Sequence, residues 1–316
     1  MRFAKRKSLL DIPNFRSSHQ YATPRGGGLA IVISFNLIMV TLACIHVLPK
    51  TLVEALLIGG TLIAIGGFID DIHTLSASKR FMAHIVAAVI AISFIGDYEF
   101  WGWLGYFITG AFIVWFTNVF NFMDGIDGLA GVEAITISIS AIILLSLIGQ
   151  TQLIYTYLFF AAAVSGFQIL NWPPAKIFMG DVGSSFLGYT IAILVIYTAK
   201  QTYTPCWPWL ILLGSFLVDA TVTLLTRMLT GQAWLQAHCQ HAYQHAAKYY
   251  GQHRIVTLSV AAINIVWLLP WAIAALHWPQ DGFYFLICAY APLVIICKVF
   301  AAGYNSRTKT FIFANN

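Results

Sequence analysis

The sequence predicts an all-α fold, a polytopic bundle of membrane-spanning helices. Hydrophobic residues make up 59% of the 316 residues and charged residues only 9%, whereas soluble domains carry about 25% charged residues. The apolar residues form long continuous runs, which favours helices over the alternating pattern of a β-barrel. A water-soluble surface cannot be built from this composition. We therefore expect residues 1–316 to form one integral-membrane domain.

Ten apolar stretches account for most of the chain. A bilayer core about 30 Å thick requires about 20 apolar residues per helix. The stretches that approach this length are about 27–48, 51–69, 81–96, 102–120, 128–149, 151–170, 183–199, 206–229, 255–276 and 282–302. The sequence therefore predicts about ten transmembrane helices.

The distribution of Lys and Arg predicts the orientation. If the N-terminus is cytoplasmic, all but two of the 17 Lys and Arg residues fall in cytoplasmic segments, and only Lys50 and Lys200 lie outside. The positive-inside rule then places both termini in the cytoplasm. With this topology the polar motifs described below all lie on the cytoplasmic side, so we expect function to reside on that face.

Two adjacent aspartates, Asp70 and Asp71, end an apolar run within residues 66–80. A carboxylate at mid-membrane costs about 2.5–3.5 kcal/mol and less near the interface. The pair marks either a helix end at the water boundary or a functional site.

A second motif, residues 118–131, repeats polar side chains every three positions. These are Asn118, Asn121, Asp124 and Asp127. On a helix or tight turn this spacing clusters side-chain oxygens, and the segment has no Lys or Arg to balance its carboxylates. Mg²⁺ prefers such oxygen ligands. A purely structural polar turn is the alternative.

A third motif, residues 171–189, contains two prolines that should end one helix and a Gly180–Asp181 pair that should open the next. Asp181 is a candidate N-cap, a metal ligand or both. The backbone N–H groups of residues 182–185 form a candidate anion site at the helix start.

The fourth motif contains His238, His241 and His245, spaced so that they would share one face of a helix. We favour phosphate contacts over a zinc site because no acidic neighbour is present. A solvated amphipathic segment at the membrane surface is the alternative. Asp219, inside an apolar run, is either functional or paired with Arg227 or a neighbouring helix.

Five motifs together resemble the polyprenyl-phosphate N-acetylhexosamine-1-phosphate transferases of glycosyltransferase family 4, and most closely the branch that initiates bacterial O-antigen and lipopolysaccharide synthesis. The motifs are DIPNFRSSHQYATPRGGGLAIV (11–32), FIDDIHTLSASKR (68–80), NVFNFMDGIDGLAG (118–131), FMGDVGSSFLG (178–188) and HCQHAYQH (238–245). The resemblance implies transfer of a sugar 1-phosphate from a UDP-N-acetylhexosamine to undecaprenyl phosphate, with release of UMP, at the bacterial inner membrane.

The resemblance also implies the cofactor, the partners and the site residues. The cofactor is Mg²⁺, for which Mn²⁺ could substitute. The partners are undecaprenyl phosphate, a UDP-N-acetylhexosamine and the lipid bilayer, with no nucleic acid, and an exposed helix face could support a homodimer. The implied catalytic residues are Asp70, Asp71, Asp124 and Asp127; the metal ligands are Asp181 and Asn121; the substrate contacts are Arg80, Asn118, His238, His241 and His245.

Within these groups the resemblance suggests finer functions. Asp70, assisted by Asp71, would activate or position the lipid phosphate, and Arg80 would contact a phosphate. Asp124 and Asp127 would hold the nucleotide or support the metal. Whether the lipid phosphate attacks directly or through an aspartyl intermediate stays open, as does the identity of the sugar.

The chain departs from the family pattern at two places. Members usually carry another membrane helix before the DIPN segment, and only ten residues precede Asp11 here, so we expect either a longer natural chain or a dispensable helix. Cys239 also stands where the family has an arginine, which would weaken phosphate binding or alter sugar preference.

Three other hypotheses compete with the transferase. An ion-coupled transporter would need charges on both sides of a midplane cavity and broken helices in paired halves. A CDP-alcohol phosphotransferase would need a different aspartate spacing. An inactive, truncated family member would follow if the absent helix were needed to form the site.

Overall fold

The computed structural model describes residues 10–11, 22–96, 102–233, 236 and 238–304, and this part of the chain is predominantly helical. Two short strands, β1 (Leu10–Asp11) and β2 (Thr23–Pro24), pair antiparallel before the first helix. The predicted location of both termini falls on residues outside the described ranges.

Twelve helices follow in the described part of the chain, and most coincide with the apolar stretches of the sequence. They are α1 (Gly28–Cys44), α2 (Lys50–His73), α3 (Ala77–Ile95), α4 (Trp103–Met123), α5 (Leu129–Leu147), α6 (Thr151–Asn171), α7 (Asp181–Gln201), α8 (Trp207–Leu212), α9 (Gly214–Leu229), α10 (Ala242–Tyr250), α11 (His253–His277) and α12 (Gly282–Val299). Two of them contain a π-helical segment, Ala55–Gly59 in α2 and Ile263–Leu268 in α11.

Eight helical segments of the described residues are long and apolar enough to cross a membrane. These are α2 to α7, α11, and α12 together with the 3₁₀ turn before it. The other two predicted stretches are also helical, but α1 has only 17 residues and the stretch 206–229 is divided between α8 and α9. The chain is therefore a multi-pass helical membrane protein, and a total of ten spans stays a prediction.

Helix α7 occupies the centre of the bundle. Its apolar window is 94% buried, compared with 28% for that of α3, and it packs against α1, α2 and α4. A helix that is apolar on all sides is stable only when protein surrounds it or lipid does. Because neighbours surround α7, its first residue, Asp181, lies among the ends of several other helices.

Candidate active site

The two adjacent aspartates lie in the last turn of α2, and both are buried. The Asp71 carboxylate accepts hydrogen bonds from the backbone N–H groups of Asp181 (3.0 Å) and Val182 (3.3 Å) at the start of α7. Those amides have no acceptor within their own helix, and a carboxylate at a helix N-terminus is also favoured by the helix dipole. Asp71 thus caps α7 from a different helix.

This arrangement corrects two predictions about the start of α7. Asp181 is not the N-cap, because the helix begins at Asp181 itself and the N-cap position is Gly180. The predicted anion site on residues 182–185 is also wrong. The amide of Val182 donates to Asp71, and the amides of Gly183 and Ser184 donate to the Gly180 carbonyl, so the carboxylate of Asp71 already occupies the position of an anion.

Two glycines allow α2 to approach α7 this closely. A Cβ atom on Gly67 would lie 2.4 Å from the Asp181 carbonyl oxygen. A Cβ atom on Gly180 would lie 2.5 Å from an Asp71 carboxylate oxygen, and the φ of Gly180 is +76°, a value that disfavours side chains. Only glycine fits at either position without a shift of the backbone.

Arg80, near the start of α3, joins the two carboxylates across the site. Its guanidinium lies 3.1 Å from an Asp70 oxygen and 3.4 Å from an Asp181 oxygen. The other Asp70 oxygen accepts a hydrogen bond from the backbone of Leu75. The predicted convergence of Asp70 and Asp181 is therefore present, and Arg80 lies where it can also reach a phosphate.

A second arginine supports Asp71. The Nε atom of Arg25 lies 3.9 Å from an Asp71 carboxylate oxygen, and its guanidinium donates to the Asp71 backbone carbonyl. Arg25 follows β2 and precedes α1, so the segment before the first helix contributes directly to the acidic cluster.

The two asparagines of the second motif lie on the last turns of α4 and have different partners. Asn121 donates from Nδ2 to the Ser184 hydroxyl at 3.2 Å, one turn into α7. Asn118 donates from Nδ2 to the Val114 carbonyl at 2.7 Å and lies 3.1 Å from Nδ1 of His84. Asn121 thus contacts the first turn of α7, whereas the amide nitrogen of Asn118 is bonded to α4 and lies next to His84 on α3.

Asp124 and Asp127 lie in the connection between α4 and α5. Burial raises the pKa of Asp124, and the negative charges of Asp181, Asp71 and Asp127 raise it further. Asp127 accepts a hydrogen bond from the Ala175 amide at 3.1 Å and lies 3.3 Å from Nδ1 of His253. Asp127 therefore connects the acidic cluster to the segment between α6 and α7 and to the start of α11.

The histidine motif does not form one helical face, which corrects that prediction. Helix α10 begins at Ala242, so His238 and His241 precede it. The buried carboxylate of Asp219 accepts hydrogen bonds from the amides of Ala242 and Tyr243, both at 3.0 Å, and lies 3.3 Å from Nδ1 of His241. Asp219 thus fixes where α10 starts, and its hydrogen-bond partners among the described residues do not include Arg227.

The three histidines have different environments. The rings of His238 and His241 stack with centroids 4.9 Å apart. Burial, followed by the positive charges of His241 and Arg227, lowers the pKa of His238 to about 3, so this ring is neutral at physiological pH. His245 is buried, with Nδ1 2.6 Å from the Phe300 carbonyl; its assignment as a substrate contact stays a prediction.

The histidine segment is attached to the second motif. The Tyr243 hydroxyl donates to the Phe122 carbonyl at 2.9 Å, and the ring of Phe122 stacks on that of His241 at a centroid distance of 6.4 Å. Phe122 immediately precedes the acidic connection. The four motifs therefore meet at one end of the bundle, although the side of the membrane on which they lie stays a prediction.

The acidic cluster has more carboxylates than cations. Direct contacts and mutual charge effects connect two arginines (Arg25 and Arg80) and His253 to five aspartates (Asp70, Asp71, Asp124, Asp127 and Asp181). Among the described residues, His, Cys, Asp and Glu side chains do not form a ready three-ligand metal cage. The carboxylate oxygens of the cluster are ligands that suit Mg²⁺, which retains waters and binds through one or two carboxylates and substrate phosphates.

Sequence reasoning missed two residues of this region. His84 is a lone histidine in an apolar run, and His253 lies after the histidine motif and bonds Asp127. His84 follows Arg80 by four residues, and this helical spacing was the available signal. The pairing of His253 with Asp127 spans 126 positions and gave no signal in the sequence.

The sequence of the chain is similar to that of known proteins. A model of the family described as "Glycosyl transferase family 4" matches residues 53–199. The chain is 31% identical over 280 residues to the probable undecaprenyl-phosphate N-acetylglucosaminyl 1-phosphate transferase of Bacillus subtilis, covering 84% of this chain and 77% of that protein.

Two further relatives have related names. The undecaprenyl-phosphate alpha-N-acetylglucosaminyl 1-phosphate transferase of Escherichia coli K12 is 32% identical over 267 residues, covering 76% of this chain and 69% of that protein. The phospho-N-acetylmuramoyl-pentapeptide-transferase of Moorella thermoacetica is 29% identical over 231 residues, 66% of this chain and 70% of that protein. Because the Bacillus subtilis relative is 31% identical and the match covers 84% of this chain, the chain belongs to glycosyl transferase family 4.

Proposed function

We propose that this protein transfers N-acetylhexosamine 1-phosphate from a UDP-sugar to undecaprenyl phosphate and releases UMP. The observation that carries the proposal is the meeting of Asp70, Asp71 and Asp181, with Arg80 between two of them, at the end of a membrane bundle. A lipid phosphate and a water-soluble nucleotide can meet only at such a boundary. The names of the relatives support the same reaction.

In the proposed reaction an oxygen of the lipid phosphate attacks the β-phosphorus of the UDP-sugar. A new P–O bond forms, the bond from that phosphorus to the bridging oxygen breaks, and UMP leaves with the electron pair. Arg80 is placed to hold a phosphate oxygen, and Asp70 holds Arg80 in position. The chain thus contributes mainly orientation and charge compensation, as is usual in phosphoryl transfer.

The donor set fits Mg²⁺. Asp181 would supply a carboxylate oxygen, and Asn121 would supply Oδ1 because its Nδ2 already donates to Ser184. When bound, Mg²⁺ would offset the negative charge of the diphosphate in this acidic cluster. Mn²⁺ has similar oxygen ligand preferences and could replace it.

The contacts favour direct attack by the lipid phosphate over an aspartyl intermediate. Both oxygens of Asp71 accept backbone amides, and both oxygens of Asp70 are engaged by Leu75 and Arg80. A carboxylate held in this way is a poor nucleophile because attack would require it to give up those hydrogen bonds. We therefore assign these aspartates to positioning.

The proposed cellular setting is the cytoplasmic face of a bacterial inner membrane, where the product would begin a cell-surface polysaccharide such as O-antigen or lipopolysaccharide. The distribution of Lys and Arg supports the cytoplasmic orientation. UDP-GlcNAc is the first donor to test, since N-acetylglucosamine occurs in the names of several relatives.

The test is exchange of radiolabelled UMP into UDP-sugars by the purified protein in the presence of undecaprenyl phosphate. We expect Mg²⁺-dependent exchange with one member of a panel of UDP-N-acetylhexosamines. We expect Asp181→Asn to abolish it, with Asp281→Asn, outside the acidic cluster, as the control. Exchange that is independent of undecaprenyl phosphate, or that persists in Asp181→Asn, would contradict the proposal.

A further inference from the structure

A cleft opens between α2, α3 and α7 beside the acidic cluster. Its lining includes Ile63, Gly66, Arg80, Ala83, His84 and Asp181. The charged groups lie at the end of the cleft next to the acidic cluster, and the lining further along the helices is small or apolar except for His84 and Ser185. The cleft therefore has the character expected for a phosphate group that carries an apolar chain.

Gly66 shows that this space is not needed for helix packing. A Cβ atom on Gly66 would meet only the Ala83 Cβ, at 3.9 Å, which is ordinary van der Waals distance. By contrast, a Cβ atom on the adjacent Gly67 would overlap the backbone at the start of α7. The helices α2 and α3 thus leave room at Gly66 for at least one methyl group.

His84 is a polar group of this cleft that the proposed reaction has not used. It follows Arg80 by four residues on α3, so the two side chains lie on the same face, one turn apart. His84 is buried, at 7% exposure. Most polar atoms of buried side chains are hydrogen-bonded, and the Nδ1 atom of His84 has its partner in Asn118.

The tautomer of His84 follows from its neighbour Asn118. The amide nitrogen of Asn118 lies 2.7 Å from the Val114 carbonyl oxygen, a contact that the amide oxygen could not make without repulsion. The same nitrogen lies 3.1 Å from Nδ1 of His84, so it donates to Nδ1. A neutral imidazole that accepts at Nδ1 carries its proton on Nε2.

We propose that His84 donates a hydrogen bond from Nε2 to a phosphate oxygen of a substrate bound in this cleft, next to Arg80. The proposal rests on the proposed transferase function and adds a substrate contact to it. Asn118 then acts as a positioning residue, because it fixes the ring and its proton without touching the substrate. Since His84 lies one turn further along the membrane-spanning helix than Arg80, the geometry favours the phosphate of the lipid over that of the nucleotide.

The test compares three substitutions of His84 in the full-length protein. His84→Met removes the donor with little change in volume, His84→Gln restores an amide N–H near the position of Nε2, and His84→Asn keeps an amide that is too short to reach it. His277→Met, at an exposed histidine near the end of α11, is the matched control. The readouts are the thermal unfolding midpoint and the kcat and KM for each substrate, varied separately.

We expect the KM for undecaprenyl phosphate to rise about 10- to 100-fold in His84→Met and His84→Asn, the loss typical of one hydrogen bond to a charged group. His84→Gln should recover most of this loss, and the unfolding midpoint should change little. A rise confined to the KM for the UDP-sugar would also support the phosphate contact and would assign it to the nucleotide.

Two results would overturn the inference. One is wild-type kinetics in His84→Met and His84→Asn. The other is a fall in kcat with a lower unfolding midpoint and no recovery in His84→Gln, which indicates a packing function. Failure of the proposed function is distinct from both, because then the wild-type protein itself shows no exchange. If His84→Met does not fold, the comparison of the KM values of His84→Gln and His84→Asn still shows whether an N–H donor near the position of Nε2 is needed.

Discussion

Arg80 is the residue on which most of the charge balance of the site depends. It is the one described side chain that the contacts place within 4 Å of both the Asp70 and the Asp181 carboxylates. Both contacts come from the same guanidinium nitrogen, Nη1, so the rest of the rigid planar fork can present further N–H donors, whereas the lysine ammonium has a single nitrogen on a flexible stem. The identity of this cation therefore matters as well as its charge.

We expect Arg80→Lys to lower the rate of UMP exchange about 10- to 100-fold, since the single lysine nitrogen cannot keep both carboxylate contacts and also present a charge-assisted donor to a phosphate. Arg80→Gln should lower it further. The measurement is exchange activity at saturating Mg²⁺. Lys79→Gln, at the adjacent exposed cation, should keep wild-type activity, and equal losses at both positions would contradict a specific function for Arg80.

Asp124 gives a prediction about pH. Its folded-state pKa is raised above the ordinary value of 3.8 by burial and by neighbouring carboxylates. As pH rises from that value, the unfolded chain loses the proton while the folded chain keeps it, so the free energy of unfolding falls until the folded carboxyl also ionises.

Without Mg²⁺, the unfolding midpoint should therefore be lower at pH 8 than at pH 5, and Asp124→Asn should weaken this dependence. Mg²⁺ should raise the unfolding midpoint more at pH 8 than at pH 5, because it binds the ionised carboxylates. The measurement is thermal unfolding in detergent, with EDTA or Mg²⁺. An unchanged pH dependence in Asp124→Asn would show that other groups are responsible.

At the scale of elements, the site depends on the contact between α2 and α7. Asp71 can cap α7 only because Gly67 and Gly180 leave no Cβ atoms between the two helices. The cap comes from a residue 110 positions earlier in the chain. A local sequence motif cannot reveal such a cap, which is why Asp181 itself was assigned that position from the sequence.

Gly67→Ala should disrupt this contact. The new methyl group would lie 2.4 Å from the Asp181 carbonyl oxygen, and overpacking of this kind costs about 1–3 kcal/mol. We expect a lower unfolding midpoint together with about a 10- to 100-fold loss of exchange activity, since displacement of catalytic groups by about 1 Å can cost about 100-fold in rate. Gly166→Ala, where a Cβ atom would meet nothing within 4 Å, is the control, and equal effects in both variants would contradict the close-contact argument.

At the scale of the molecule, the helices were more predictable than the site. Continuous apolar runs indicate where the helices lie, because both lipid and the protein interior favour apolar side chains. The end of α6 at Asn171, before Pro173 and Pro174, is also as expected. The family motifs also indicated which loops would meet. The start of α10 was not predictable from spacing alone, because Asp219 determines it through tertiary hydrogen bonds. His84 was missed because a lone histidine in an apolar run resembles a core residue.

The predicted orientation can be tested with thiol reagents that do not cross membranes. In variants with a single cysteine, Cys44 at the end of α1 should react from the periplasmic side and Ser78→Cys near the start of α3 from the cytoplasmic side. Both native side chains are exposed. The measurement is labelling in intact cells and in inverted vesicles. Reaction of both cysteines from one side would contradict the assigned topology.

The burial of α7 has a consequence for how donor preference could change among related enzymes. Because neighbours enclose this helix along nearly all of its length, a substitution that shifted its tip would disturb several other helices at once. The segment around Cys239 lies at the same end of the bundle, where Asp219 accepts from the Ala242 amide, Arg227 donates to Gln240 and Tyr243 donates to the Phe122 carbonyl. We therefore expect that segment to tolerate sequence variation that adapts the enzyme to different sugars, while the tip of α7 stays constant.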